Sequence, residues 1–517
     1  MPKNLDLTDQ NIVSSIITSI EKSEERDRKR WTFDSWEIYS GNQKPYVEQA
    51  LQLTRPKSWE TYTKSDISVA KMVVDKIAKA YKQQPKRTVG GDPDKTDSLM
   101  EIYEEANSKI QLPFFDTINN LHKYALMWVN WDDIDEMYQF MALQPFEYSI
   151  VRDKQTGELT AVILNYGNTD VTSSALRSGG NFGDGVDDLI AEAQSDSSAQ
   201  SKVYAMWSKD NFVVVVSENK KIRTASGEEV QVSITFIDDP QNMEKENRLG
   251  VIPFVFVSRE PVIDFPTPNP LAFQSVTYNV LESENLTSGV IQGTGTMVLS
   301  YPEKYEGKFR HLTQGLTTAI KLPQSANPDD SSTSVQFINP GPDLTGQREN
   351  AKNYLKMVLA EHGITSSQGL EGENFNSALD RMVASADVQE IIEENQTLYV
   401  DAEKHMFEII KAWDAFLGTG KFSEEDELNL VFLKPKLMLS DTEVLNNLKT
   451  RIELGLLEEH EKFMVIDPNM SEEDAKDKLM RIKEEKAKSI GAMFGNTRQN
   501  IEEDRPGLES GAEESEG

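Results

Sequence analysis

The chain has 517 residues, with 86 acidic against 54 basic side chains, a net charge of −32 and no cysteine. The length suits roughly three ordinary domains, and the acid excess argues against a general affinity for nucleic acid or anionic membrane, whose phosphates are held by Lys and Arg. The lack of cysteine removes disulfides, thiolate metal sites and cysteine nucleophiles together, and makes a reducing compartment the simplest setting.

Residues 1–64 are expected to form an N-terminal helical segment. They contain no apolar core of signal-peptide length, and no stretch elsewhere is apolar enough to span a bilayer, so a soluble protein made inside the cell is expected. The stretch SDISVAKMVVDKIAKAYKQQP predicts a clear helix. Ser65 or Asp66 caps it, Ile67, Ala70, Val73, Val74, Ile77, Ala78 and Tyr81 recur at three and four, and Pro85 ends it. From about residue 137 to 258, short runs rich in Val, Ile, Tyr and Phe predict an antiparallel or mixed sheet. Within it, 171–200 is rich in Gly, Ser, Asp and Ala and is expected as a partly disordered surface insertion.

Helix returns after Pro261, with Asn269 as cap and Pro270 at the first helical position. This helix crowds Ser275, Thr277, Asn279, Ser283, Asn285, Thr287 and Ser288 around a thin apolar stripe of Phe273, Val276 and Val280. A helix so polar is expected to need a wet neighbour or copies of itself. Short strands and turns fill 295–344, a helix covers 345–363, and the loop GITSSQGLEGENFNSALDRM leads into a long helix over 378–418. A strand (ELNLVFLKP) and two helices are expected across 419–490. The tail from 491 ends in IEEDRPGLESGAEESEG, with seven acidic residues and one basic, and is expected to be disordered.

The chain carries no GxxxxGK[ST], no GxGxxG after a strand, no HExxH and no GxSxG. Its five histidines, His122, His311, His362, His405 and His460, have no metal-ligand spacing and are expected to be structural or surface residues. Asp132, Asp133, Asp135 and Glu136 form one acidic cluster, and Asp92, Asp94 and Asp97 another. Either offers oxygens to a divalent cation, but a polar turn before a strand and a Gly/Pro/Asp loop are the stronger readings. No metal, cofactor or catalytic residue is assigned. In the helix over 345–363, Arg348, Lys352 and Lys356 fall at steps of four and share one face. In a monomer that is ordinarily a solvated face; lining a hole in a ring, it becomes stacked basic rings that meet phosphate.

The order of elements resembles the portal proteins of tailed bacteriophages over about residues 65–490. The helix ISVAKMVVDKIAKAYKQQP comes first, and the strand pair FMALQPFEYSIVRDKQTGELTAVILNY looks like the portal wing. NRLGVIPFVFV resembles the strand leading into the stem, and SALDRMVASADVQEIIEEN the start of the long helix after the tunnel loop. RIELGLLEEHEKFMVIDPNMSEEDAKDKLMRI resembles the closing helical segment.

The resemblance implies an α+β portal-type fold with wing, stem, clip and crown. The wing would span 65–268, the first stem helix 269–294, the clip 295–344 and the second stem helix 345–363. The tunnel loop would be 364–377, the long wing helix 378–418, and 419–490 the wing and crown segment. After 490 there is no long helical crown, and residues 1–64 match nothing in the family pattern.

The resemblance further implies a ring of about twelve copies at one capsid vertex, assembled in the host cytoplasm, through which double-stranded DNA passes weakly bound. Its partners would be the terminase large subunit, head-tail adaptors, and capsid and scaffold proteins, with no membrane, no cofactor and no catalysis. Ser366, Gln368, Gly369, Glu371, Asn374 and Asn376 would form the tunnel loop's polar surface, while a plain helix-to-helix connector remains the alternative. Two other readings stay open: a baseplate or minor head component, and a hydrolase or nuclease built on the Asp132–Glu136 carboxylates.

Overall fold

The structure, a computed structural model, describes residues 5–132, 136–153, 155–165, 201–224, 227–237, 245–260, 268–294, 296–302, 320–324, 334–338, 343–364 and 378–432, together with 449, 458, 460, 461, 463 and 475–483. By its internal contacts the chain divides into one unit of Met1–Asn374 with Val383–Pro435 and a second of Phe375–Met382 with Lys436–Gly517. In the second unit, residues 475–483 are helical, and Lys478 Nζ lies 5.2 Å over the Phe463 ring. The expected insertion at 171–200, the tunnel-loop residues and the acidic tail lie outside the described residues.

The first unit opens with α1 (Gln10–Ile20), α2 (Ser23–Ser40), α3 (Lys44–Thr54) and α4 (Val69–Ile77), followed by β1 (Lys86–Val89), α5 (Pro93–Glu105) and α6 (Ser108–His122). Next come β2 (Tyr124–Asp132), β3 (Met137–Leu143), β4 (Tyr148–Arg152), β5 (Leu159–Asn165), β6 (Ser201–Ser208), β7 (Phe212–Thr224), β8 (Gly227–Ile237) and β9 (Phe254–Ser258). Then α7 (Leu271–Thr294) runs into β10 (Thr296–Pro302), β11 (Ile320–Gln324) and β12 (Ser334–Ile338). Last are α8 (Leu344–Glu361), α9 (Ala378–Leu417) and β13 (Leu428–Val431). The architecture is α+β.

Two antiparallel sheets form the centre. One has the order β3-β2-β9, the other is the meander β4-β5-β6-β7-β8. Tyr124, Leu126 and Trp128 on one face of β2 pack with Trp207, Phe212 and Phe254 against the meander. Ala125, Met127 and Val129 on its other face pack against α5, α6 and α9 through Phe115, Tyr103 and Trp413. The far face of the meander is covered by Val13, Ile17 and Ile20 of α1. The layers are therefore helix, sheet, sheet, helix.

Strand β2 corrects the expectation of a sheet that starts near residue 137. Buried on both faces, YALMWVNW has no polar alternation, and a short continuous apolar run does not separate strand from helix by periodicity. At the end of β9, Pro253 accepts from the Val129 N–H at 2.9 Å but has no N–H to return. The indole N–H of Trp413 donates to the Val129 carbonyl at 3.2 Å instead.

Helix α4 is shorter at both ends than expected, because tertiary partners compete for its backbone. Ser68, not Ser65, caps it, and Ala78 follows its last turn. The Ala80 N–H leaves the helical ladder to donate to Asp116 Oδ2 at 2.9 Å. Ile67, expected on the core face, is 43% exposed. The Gly/Pro/Asp segment expected as a loop is the start of α5, where Asp92 is the N-cap and accepts from the Asp94 N–H at 3.0 Å.

Candidate functional site

The segment α7–β10–β11–β12–α8 is the candidate site, since it holds the basic stripe singled out in the sequence. Asn269 and Pro270 start α7 as the residue types predict, with Asn269 Oδ1 accepting from the Leu271 N–H at 3.2 Å. The Asn269 amide also donates to the carbonyls of Asn120 and Leu121, which fastens the start of α7 to the end of α6. Strand β10 then pairs parallel with β11 and antiparallel with β12 in a three-stranded sheet.

Asp343 Oδ1 caps α8 by accepting from the Gly346 N–H at 2.9 Å. The helix ends at Gly363 (φ 69°), where the N–H groups of Ile364 and Gly363 donate back to the carbonyls of Leu359 and Ala360. The positive φ favours glycine at this turn, and a Cβ there would also push on Ile391 Cδ1, 2.4 Å away. Gln274, near the start of α7, bonds Glu361 at 2.7 Å and His362 at 3.3 Å, near the end of α8; the two helices are antiparallel.

The polar face of α7 corrects the expectation of a wet neighbour or a ring of copies. Ser275, Asn279 and Ser283 are fully buried within one chain, and Asn285 and Thr287 nearly so. Ser275, Asn279, Ser283 and Thr287 receive the backbone of the extended segment 63–69. The N–H groups of Val69, Ile67, Ser65 and Thr63 donate to Ser275 Oγ (3.1 Å), Asn279 Oδ1 (2.8 Å), Ser283 Oγ (2.9 Å) and Thr287 Oγ1 (3.0 Å). Two residues of extended chain advance about 6.6 Å and four residues of helix about 6 Å, so the two periods match over these rungs. Amides that no strand partner serves, those of Ser65 and Val69 buried, are thus satisfied by hydroxyl and amide side chains.

Of the stripe on α8, Arg348 and Lys352 are exposed and Lys356 is half-buried, while Ala351, Leu355, Val358 and Leu359 turn into the core. Ser366, Gln368, Gly369, Glu371, Asn374 and Asn376 lie outside the described residues. So do Asp133 and Asp135 of the first acidic cluster. Asp132 is 3% exposed and accepts from Gln139 Nε2 at 2.7 Å. Among the described residues no group of three His, Asp or Glu is placed to hold a metal ion. His122 is buried, and its desolvation pulls the imidazole down to about 3, so the ring is neutral. His362 meets Gln274, His405 is exposed, His460 Nδ1 is 3.2 Å from Glu458, and His311 lies outside the described residues.

Two buried polar clusters carry no mark in the sequence. Arg87 on β1 makes a bidentate pair with Glu403 on α9 at 2.6 and 2.8 Å across 316 residues, and its guanidinium lies 4.3 Å from the Tyr103 ring centroid. Asp116 on α6 accepts from the Ala80 N–H, Asn120 Nδ2 and the Tyr399 hydroxyl. Asn120 Oδ1 in turn accepts from Asn395 of α9 and from Arg259 just after β9. Burial pushes the Asp116 carboxyl up to about 6 although its three donors pull it down. Together these groups lock α9 onto the sheets and onto the start of α7.

No family model and no curated protein matches the chain. Among solved structures, it is similar to a chain from the virion of a native gene transfer agent particle. The identity is 11%, the match covers 76% of this chain and 88% of that one, and the TM-score is 0.34. A likeness of that size carries no argument about this chain's function.

Proposed function

We propose that the chain is the repeating subunit of a portal-type ring of a tailed-phage-like particle, about twelve copies around a channel for double-stranded DNA. The observation that carries the reading is the antiparallel pair α7 and α8, which runs into the three-stranded sheet β11-β10-β12 and is followed by the 40-residue helix α9. This is the order of stem, clip, stem and long wing helix that the sequence resemblance implies. Arg348, Lys352 and Lys356 would stack as basic rings in an otherwise acidic channel, attracting phosphate enough to guide a duplex and too weakly to hold it. The clip would dock the terminase large subunit and later the head-tail adaptors, with capsid and scaffold proteins around the wing. The particle's portal vertex is then where the protein works.

The reading assigns no reaction and no cofactor. A carboxylate-dependent hydrolase has less support, since Asp132, the described strand residue of its acidic cluster, is buried and bonded to Gln139. The test is the full chain with Arg348, Lys352 and Lys356 all changed to Gln. The expected result is an assembly of unchanged mass that packages or ejects DNA at an altered rate. Assemblies that fall apart would place the stripe in a subunit interface and overturn its channel role.

A further inference from the structure

Between Asp75 and Asp92 the sequence holds no acidic residue, and Lys76, Lys79, Lys82 and Lys86 fall within that stretch. In a chain of net charge −32, this is a local inversion of sign. The segment runs from the last turn of α4 to the start of β1. Its buried residues, Ile77, Ala80, Tyr81, Pro85 and Arg87, turn inward, and its exposed ones up to β1 are Lys79, Lys82, Gln83 and Lys86. The lysines therefore share the outer side.

The backbone that carries them is held along its length. The Ala80 N–H donates to Asp116 Oδ2 at 2.9 Å, the Tyr81 ring stacks on Tyr399, and Lys86 pairs with Val431 of β13. The Lys82 N–H donates to the Lys79 carbonyl at 3.1 Å, a turn that keeps the two Cα atoms within about 7 Å. Lys76 closes the last turn of α4, where a cation suits the helix dipole. Burial and then the Lys79 charge pull its ammonium below the usual value, so the two cations feel one another. Among the described residues none of the four forms an ion pair. Asp75 accepts from the Tyr39 hydroxyl at 2.7 Å and lies 3.9 Å from Lys71, while Asp116 and Glu403 are fully buried. Asp97, Glu101 and Glu104 of α5 line a hollow with Arg87, on the face of β1 opposite to Lys86.

We propose that Lys79, Lys82 and Lys86, with Lys76 beside them, form a surface that binds the phosphate backbone of double-stranded nucleic acid without reading its sequence. Such binding needs only cations free to replace counterions. Lysine meets phosphate as a point charge, and none of the exposed residues of the segment offers the apolar anchor that centres a protein interface. That favours nucleic acid over an acidic protein segment. Carboxylates farther off are screened beyond about 10 Å at about 0.1 M salt, so a basic patch acts locally in an acidic chain. Neither the ring nor the stripe on α8 is needed for it.

The test uses the full chain with Arg348, Lys352 and Lys356 changed to Gln as background, so that the α8 stripe contributes nothing. A fluorescein-labelled duplex of about 20 base pairs is titrated by anisotropy between about 50 and 200 mM salt. The expected result is saturable binding that weakens about tenfold or more, with a salt slope lower by about 2–3, when Lys79→Gln, Lys82→Gln and Lys86→Gln are added. Changing the same three lysines to Arg keeps the charge and retains the binding. All three are exposed, so both sets of changes leave the fold in place, as an unchanged melting temperature would verify. Four results would overturn the proposal: no saturation up to about 1 mM duplex, equal affinity after the Gln changes, loss of binding after the Arg changes, or displacement of the duplex by polyglutamate of equal charge at equal concentration. The last would make the surface a dock for acidic protein.

Discussion

Asn279 on α7 holds Ile67 of the extended segment by both backbone groups, its Oδ1 accepting the Ile67 N–H at 2.8 Å and its Nδ2 donating to the Ile67 carbonyl at 2.8 Å. The Ser65 hydroxyl donates to the same Oδ1 at 2.9 Å. One amide thus does for the segment what a neighbouring strand would do, and it does so while fully buried. Asn279→Ala leaves several buried groups without partners and is expected to cost about 2–4 kcal/mol in urea unfolding. Ser283→Ala removes one acceptor and is expected to cost about 1 kcal/mol. A loss under about 0.5 kcal/mol for Asn279→Ala would mean that water or a neighbour replaces the contact.

Arg87 and Glu403 are 1% and 0% exposed, so neither charge has water to fall back on. Glu403→Gln or Arg87→Met alone is expected to destabilise by about 3–5 kcal/mol, because each leaves its partner buried and uncompensated. The double change Arg87→Met with Glu403→Leu is expected to recover most of that loss. A double-mutant cycle with near-zero coupling would show the pair to be energetically idle.

Asp116 gives stability a pH slope of defined sign. Its folded value of about 6 lies above the ordinary 3.8, so the folded state holds its proton more tightly, and the stability it adds is present at low pH and lost as pH rises towards and through 6. Between about pH 5 and pH 7 the wild type is expected to lose about 1 kcal/mol relative to Asp116→Asn, which has no such proton to release. Tyr399, Asn120, Asn119, Asn395 and Arg259 surround the group, and among the described residues no second carboxylate bonds into the cluster. Parallel pH profiles of wild type and variant would contradict the assignment.

The ends of the helix pair were legible in the sequence because they rest on local chemistry: Asn269–Pro270 start α7, and Gly363 stops α8. The span of α9, Ala378–Leu417, follows equally from helical spacing within one segment. What stayed hidden depends on distant partners. Tyr124–Asp132 is a continuous apolar run whose periodicity does not mark it as a strand, since both of its faces are covered. The polar face of α7 looks like a wet surface until residues 63–69 lie along it, and α4 gives up its expected start to those same contacts and its expected end to Asp116. Arg87 and Glu403, 316 residues apart, share no local pattern at all. The same satisfied seam also removes one argument for the ring: the polarity of α7 needs no second copy, so the ring rests on the order of elements and the basic stripe.

The measurement that bears most directly on that claim is negative-stain imaging of the purified full-length chain at low and high salt, with mass determined in parallel. The account predicts closed rings of about twelve copies with an open central channel. A monomer at every salt and protein concentration, with no ring in any field, would contradict it.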